Sequence, residues 1–219
     1  MEQSAIRSGA MDGQTRSPLR RTGQRPGVVI YAERRVIRTC DHVMSAQVDS
    51  LIGHRVALRR ATAEDAPRFR EIMATPEVDR WWAGGWPSLE DDLAGAEHTS
   101  FAIEADGTVV GMIQWYEETS PTVRYAGLDM FLHPDHHRRG YGSDAIRTLI
   151  VWLFDDVGHH RIIIDPALEN RAAIACYESV GFRAVGTMRQ YETISGGGRR
   201  DALFMELVAP DFVRGPSLT

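Results

Sequence analysis

The chain has 219 residues, 43% of them hydrophobic and five of them Trp, so it can bury a full core and reads as one globular domain with a tail; two domains would be crowded. Cys40 and Cys176 are too few for a disulfide framework, and no apolar run reaches the roughly 18 residues that a membrane span requires, so a soluble protein of the reducing cytoplasm is expected. The net charge of −5 is uneven: residues 1–50 hold 8 Arg against 5 acids and 51–219 hold 17 Arg against 25 acids, a balance that argues against nucleic acid and favours cationic small molecules.

Residues 1–50, rich in Gly, Ser, Arg and Pro ("RSPLRRTGQRPG"), are expected to form a loosely attached tail ahead of a domain over 51–219. "RVALRR" alternates as a half-buried strand, and Thr62-Ala-Glu-Asp65 supplies a capping-box start for a helix that runs to about Ala74, where Pro76 stops it. "EVDRWWAGGWP" is a Trp-rich loop, and Ser88 to Asp91 caps a second short helix. "FAIEADGTVVGMIQWYEE" reads as a hairpin about an Asp106-Gly107 turn, and "VRYAGLDMFL" as the next strand.

An amphipathic helix follows, with Ala145, Ile146, Leu149, Ile150 and Leu153 on one face. "HRIIID" is a short buried strand, "NRAAIACYESVGF" a helix closed by Gly181, and residues 182–207 a strand, Gly-rich turn and strand. Strands from hairpins with two later helices predict a mixed, mostly antiparallel α/β (α+β) sheet flanked by helices.

"HRRGYGSDAI", residues 137–146, joins strand to helix through a glycine turn, which aims unpaired backbone N–H groups at one point. Gly140 and Gly142 allow close approach to an anion, and Arg138 and Arg139 can add charge-assisted hydrogen bonds. A P-loop is excluded because all 25 basic residues are Arg and the P-loop lysine is missing. "GYGSDA" also fits G-x-G-x-x-A, with Asp165 twenty residues beyond Ala145, so a dinucleotide is a lesser alternative. Against it, "HPDHHRR" separates strand from glycine and too few βαβ units fit the chain. His133, His136 and His137 lack partners at metal-site spacing, and no metal is expected.

"HPDHHRRGYGSDAI" resembles the pyrophosphate loop of the GNAT superfamily of N-acetyltransferases, Gln/Arg-x-x-Gly-x-Gly/Ala, departing from it at His137. "NRAAIACYESVGF" is similar to the superfamily's second motif at Asn170, Ala173, Tyr177, Gly181 and Phe182. The resemblance spans about residues 55–208. It implies a GNAT fold, acetyl-CoA as cosubstrate and direct transfer to an amine. On it, His137, Arg138, Arg139, Gly140, Tyr141, Gly142 and Ser143 would hold the pyrophosphate, with Asn170 and Ala173 nearby. Met130, Phe131 and Leu132 would bind the pantetheine arm, and Tyr177 would stand near the thioester sulfur as general acid.

Direct transfer needs a base for the incoming ammonium. Asp129 stands inside an apolar strand, where an ionised group needs a reason, and it is the first choice; Glu117 and Glu118 are the reserves. Cys176, about 100° round the helix from Tyr177, is read as core.

Within the superfamily the chain most resembles the aminoglycoside 6′-N-acetyltransferases, through "VDRWWAGGWPSLED", "GLDMFL" and "IDPALENRAAIACYESVGF". That resemblance places Asp129 at the reacting amine and Asp165 at other amino groups, with Trp81, Trp82, Glu117 and Glu118 lining the pocket of a monomer or homodimer. A siderophore-type lysine, another small amine, a protein N-terminus and a non-catalytic acetyl-CoA-binding regulator are the alternatives.

Overall fold

The computed structural model describes residues 48–82, 86, 89–94, 99–120, 122–194 and 197–216; residues 1–47 of the expected tail, the Ser88 cap and part of the Trp and Gly-rich loops lie outside them. Among the described residues the strands are β1 (Ser50–Ile52), β2 (Ala57–Arg60), β3 (Thr99–Ala105), β4 (Thr108–Glu118), β5 (Tyr125–Leu132), β6 (Arg161–Ile164), β7 (Arg183–Thr193) and β8 (Arg199–Val208). The helices are α1 (Ala66–Met73), α2 (Pro76–Asp79), α3 (Leu89–Ala94), α4 (Tyr141–Asp155) and α5 (Arg171–Glu178).

The Thr62–Asp65 capping box forms, and the Asp65 carboxylate accepts from the Thr62 N–H at 2.9 Å. Pro76 does more than end α1: with Thr75 extended before it, it opens the single turn of α2. Asp106 and Gly107 both take positive φ, 51° and 74°, as a tight hairpin turn requires.

The strands form one mixed sheet in the order β1-β2-β3-β4-β5-β6-β8-β7. Every pairing is antiparallel except β5 with β6. One face packs α4 and α5 over Ile113, Trp115 and Leu128, and the predicted α4 stripe, Ala145 to Leu153, is fully buried there. The other face carries α1, with Phe69, Ile72, Met112 and Phe131 in its core. No helix of the described residues is long and apolar enough to cross a membrane.

The β5–β6 seam positions the site. β4 accompanies β5 along its whole length, from Glu118↔Tyr125 to Gly111↔Leu132, whereas β6 pairs with it only at Ala126↔Ile162 and Gly127↔Ile163. β6 instead follows β8 from Val208 to Met205, and Leu203 N then bonds Pro166 O at 2.8 Å. The later half of β5 is thus left with one free edge, and the sheet opens into a wedge.

Candidate active site

At the end of β5 the chain turns through His133 to Gly140 into α4. Arg138 (φ 57°) and Gly140 (φ 81°) take the left-handed conformation that turns the backbone back over the helix start. The N–H groups of Tyr141, Gly142 and Ser143 have no helical acceptor four residues back and point out of the N-terminus of a 15-residue helix. Gly142 faces the wedge: a Cβ there would sit 3.3 Å from Leu132 Cδ1 and 3.6 Å from Cys176 Sγ.

A cleft of about 510 Å³ lies outside this helix start, lined among others by Arg55, Arg138, Arg139, Gly140 and Ser143. Its wall is fixed by Asp144, whose carboxylate accepts from the backbone N–H groups of His54 (3.3 Å), Arg55 (2.7 Å) and Val56 (3.0 Å). The link ties the β1–β2 turn to α4 and brings the Arg55 side chain over Gly140, with Arg55 Nη1 donating to Arg139 O at 3.3 Å. The cleft can take phosphate groups: several guanidinium groups face it beside a helix N-terminus.

Inside the wedge lies an acidic floor. Gln114 Nε2 donates to Asp129 Oδ2 at 3.3 Å, and Ser100 Oγ stands 3.4 Å from Gln114 Oε1. Burial, reinforced by the negative charges of Asp165 and Glu192 and opposed by the Gln114 bond, pushes the Asp129 carboxyl up to about 7. Asp165, just past β6, accepts from Tyr191 Oη at 2.7 Å. Tyr177 is 7% exposed on α5, and burial together with the fields of Asp129 and Asp165 raises its hydroxyl well above the ordinary tyrosine value. A carboxyl raised toward neutrality and a phenol that keeps its proton, near enough for their charges to interact, could between them take a proton from one group and give one to another.

The sequence between residues 55 and 183 matches the acetyltransferase (GNAT) domain family, over more than half of the chain. The chain is a GNAT acetyltransferase. As a member of that family it is a transferase with acetyl-CoA as its cosubstrate. It is 31% identical over 155 residues to aminoglycoside N(6′)-acetyltransferase type 1 of Klebsiella pneumoniae, covering 61% of this chain and 76% of that protein. It is 30% identical over 158 residues to N-alpha-acetyltransferase RimI of Mycobacterium tuberculosis, covering 67% and 93%. The solved structure of AAC(6′)-Ib with paromomycin and acetyl-CoA superposes with a TM-score of 0.59 at 28% identity, covering 74% and 98%.

The residues of this GNAT chain divide plainly. Gly140, Gly142, Ser143, Arg138 and Arg139 gather at the anion loop, and no side-chain partner engages either arginine among the described residues. The His137 ring closes on β5, where Nε2 donates to Leu132 O at 3.0 Å and pins the loop to the strand. Tyr141 turns to Asp106, with Oη donating to Oδ2 at 3.2 Å. Met130 and Leu132 pack toward α4 and α5, while Phe131 turns to the opposite core against Trp82, with ring centroids 5.2 Å apart. Asn170 caps α5, its Oδ1 accepting from Ala173 N at 3.2 Å.

Glu117 does not join the acidic floor. The pleat turns it to the helix-covered face with Ile113 and Trp115, where Arg124 holds it at 2.6 Å. Glu118 lies on the Asp129 face and accepts from Ser120 N at 3.1 Å. Cys176 is half-buried, and burial raises its thiol, so it is no ready thiolate.

Three residues of the floor escaped the sequence reading: Tyr191, Glu192 and Tyr116. The Tyr116 ring lies against Gly127, where any Cβ would collide with it. Alternation along β4 would have found Tyr116, two residues from Gln114; Tyr191 and Glu192 carry no local signal.

Proposed function

We propose that this GNAT enzyme acetylates an amino group of an aminoglycoside antibiotic, the 6′-amine, by direct transfer from acetyl-CoA within a ternary complex. Asp129 carries the reading. It stands at the bottom of an acidic wedge, and its carboxyl titrates where it can relieve an ammonium of its proton at neutral pH.

In this reading the anion loop from Arg138 to Ser143 and the α4 N-terminus hold the pyrophosphate, and the free edge of β5 at Met130 to Leu132 takes up the amide-bearing arm as a strand would. Asp129 accepts the proton of the entering amine, so that nitrogen attacks the thioester carbonyl as a free base. As the C–S bond breaks, Tyr177 gives its proton to the departing sulfur and regains one from the nitrogen that has become the amide, while the proton held by Asp129 leaves to solvent. Asp165 and Glu118 face further cationic groups of the acceptor, with Trp81 and Trp82 as its apolar wall. The acidic floor suits a polycation, and the relatives that modify aminoglycosides support that acceptor class.

The deciding experiment is thiol release from acetyl-CoA with kanamycin, lysine, spermidine or a short peptide as acceptor. Release with kanamycin alone is expected. Release with the peptide alone would instead favour a protein N-terminus, the substrate class that the RimI similarity brings forward.

A further inference from the structure

Arg200 on β8 is heavily engaged near the wedge. Its Nη1 donates to Arg80 O at 2.7 Å and its Nη2 to Trp81 O at 2.6 Å, so it satisfies the carbonyls that leave the end of α2. Its Nε donates to Glu192 Oε2 at 2.6 Å. The guanidinium also lies 5.5 Å from the Trp81 ring centroid, with Arg80 at 4.6 Å from the same ring, and the side chain is 9% exposed. One planar cation thus joins a segment 119 residues away in sequence to the β7–β8 hairpin. Trp82, next in that segment, packs on Phe131 of β5. The strap at residues 80–82 therefore spans from β5 to β8, above the place where β6 has ended.

We propose that Arg200 is the positioning residue of the acceptor cleft: it locks the Trp81–Trp82 wall to the β7–β8 hairpin and neutralises Glu192 beside Asp129. This rests on the reading of the wedge as the amine site. The groups facing Asp129 are Gln114 from β4, Asp165 beyond β6, Glu192 from β7 and Tyr177 from α5. Without Arg200, Glu192 would confront Asp129 unpaired, and the two tasks of Arg200 can be separated. A glutamine loses both the charge and the fork; a lysine keeps the charge and loses the fork.

The test is steady-state kinetics of the full chain against pH with kanamycin, for Arg200→Gln and Arg200→Lys. Arg200→Gln is expected to raise the acceptor KM about 10-fold and to move the acidic limb of the rate profile up by roughly half a pH unit, with the acetyl-CoA KM within about twofold. Arg200→Lys is expected to raise the acceptor KM while leaving the limb in place. Glu192→Gln added to Arg200→Gln should return the limb. Unchanged acceptor KM and limb in a folded Arg200→Gln would overturn the proposal, and Arg200→Lys takes its place should the glutamine variant not fold. If the wild type acetylates no amine offered, the acceptor reading falls by itself. The clamp is then judged by amide exchange of residues 80–82, expected about 10-fold faster in the variants and, if unchanged, contradicting it.

Discussion

Gln114 and Asp129 sit opposite each other in the β4–β5 ladder, and the amide of the first donates to the carboxylate of the second at 3.3 Å. This bond favours the ionised form, yet burial and two nearby carboxylates outweigh it and leave the group titrating at about 7. Gln114 acts as a brake on a shift that would otherwise go further.

The acidic limb of kcat/KM is therefore expected near pH 7, with activity rising as Asp129 loses its proton. Gln114→Leu removes the bond to the charged form and should move the limb upward, while Asp129→Asn should lower kcat by at least about 100-fold. A wild-type profile flat from pH 5.5 to 8.5 would remove Asp129 from the role of base.

Tyr177→Phe keeps the ring that packs at a tilt against Phe182, at 5.9 Å between centroids, and removes only the hydroxyl. Turnover should fall by about 10- to 100-fold with the acetyl-CoA KM within about twofold, because a proton donor to the leaving group acts in the transition state alone. Single-turnover measurements of thiol release read this directly.

His159 is buried against Trp115 with its Nε2 3.6 Å from Glu117, and burial, aided by the charge of Arg124, lowers its pKa to about 4. Its folded value lies below the ordinary 6.5, so the unfolded chain binds the proton first. Stability present above pH 6.5 is expected to be lost as pH falls toward 4, by at most about 3 kcal/mol. Urea unfolding at pH 8 and pH 5 should show at most about 2 kcal/mol of this loss in the wild type and a smaller one in His159→Phe.

Asp144→Ala would strand the three N–H groups of residues 54–56 and free the β1–β2 turn from α4. A loss of about 2 kcal/mol in urea unfolding is expected, together with a higher acetyl-CoA KM. Asp144→Asn, which retains one acceptor oxygen, should lie between.

What the sequence could tell depended on range. The α4 stripe, the Asp106-Gly107 turn and the Thr62 capping box are local patterns, and each formed where the residues predict it. Glu117 and Glu118 are neighbours on one strand, so the pleat alone forbids both from facing Asp129, and the apolar run Ile113 and Trp115 marks Glu117 as the one turned away. His137 and Asn170 sit in recognisable motifs, yet motif position says nothing of a backbone partner: one ring closes on Leu132 O, one amide on Ala173 N. The Asp144 and Arg200 links join residues 88 to 90 and 119 to 120 apart, a distance no periodicity reports.

The two-rung contact between β5 and β6 has a consequence for how far such an enzyme can be improved. A sheet completed by a few more rungs would gain hydrogen bonds and lose the free edge on which a foreign amide can stand in for a strand. With the cosubstrate arm bound at the β5 edge as proposed above, selection for heat tolerance and selection for turnover pull this seam in opposite directions. A stabilised variant obtained by zipping β5 to β6 should be a sturdier protein with nowhere to put its cosubstrate.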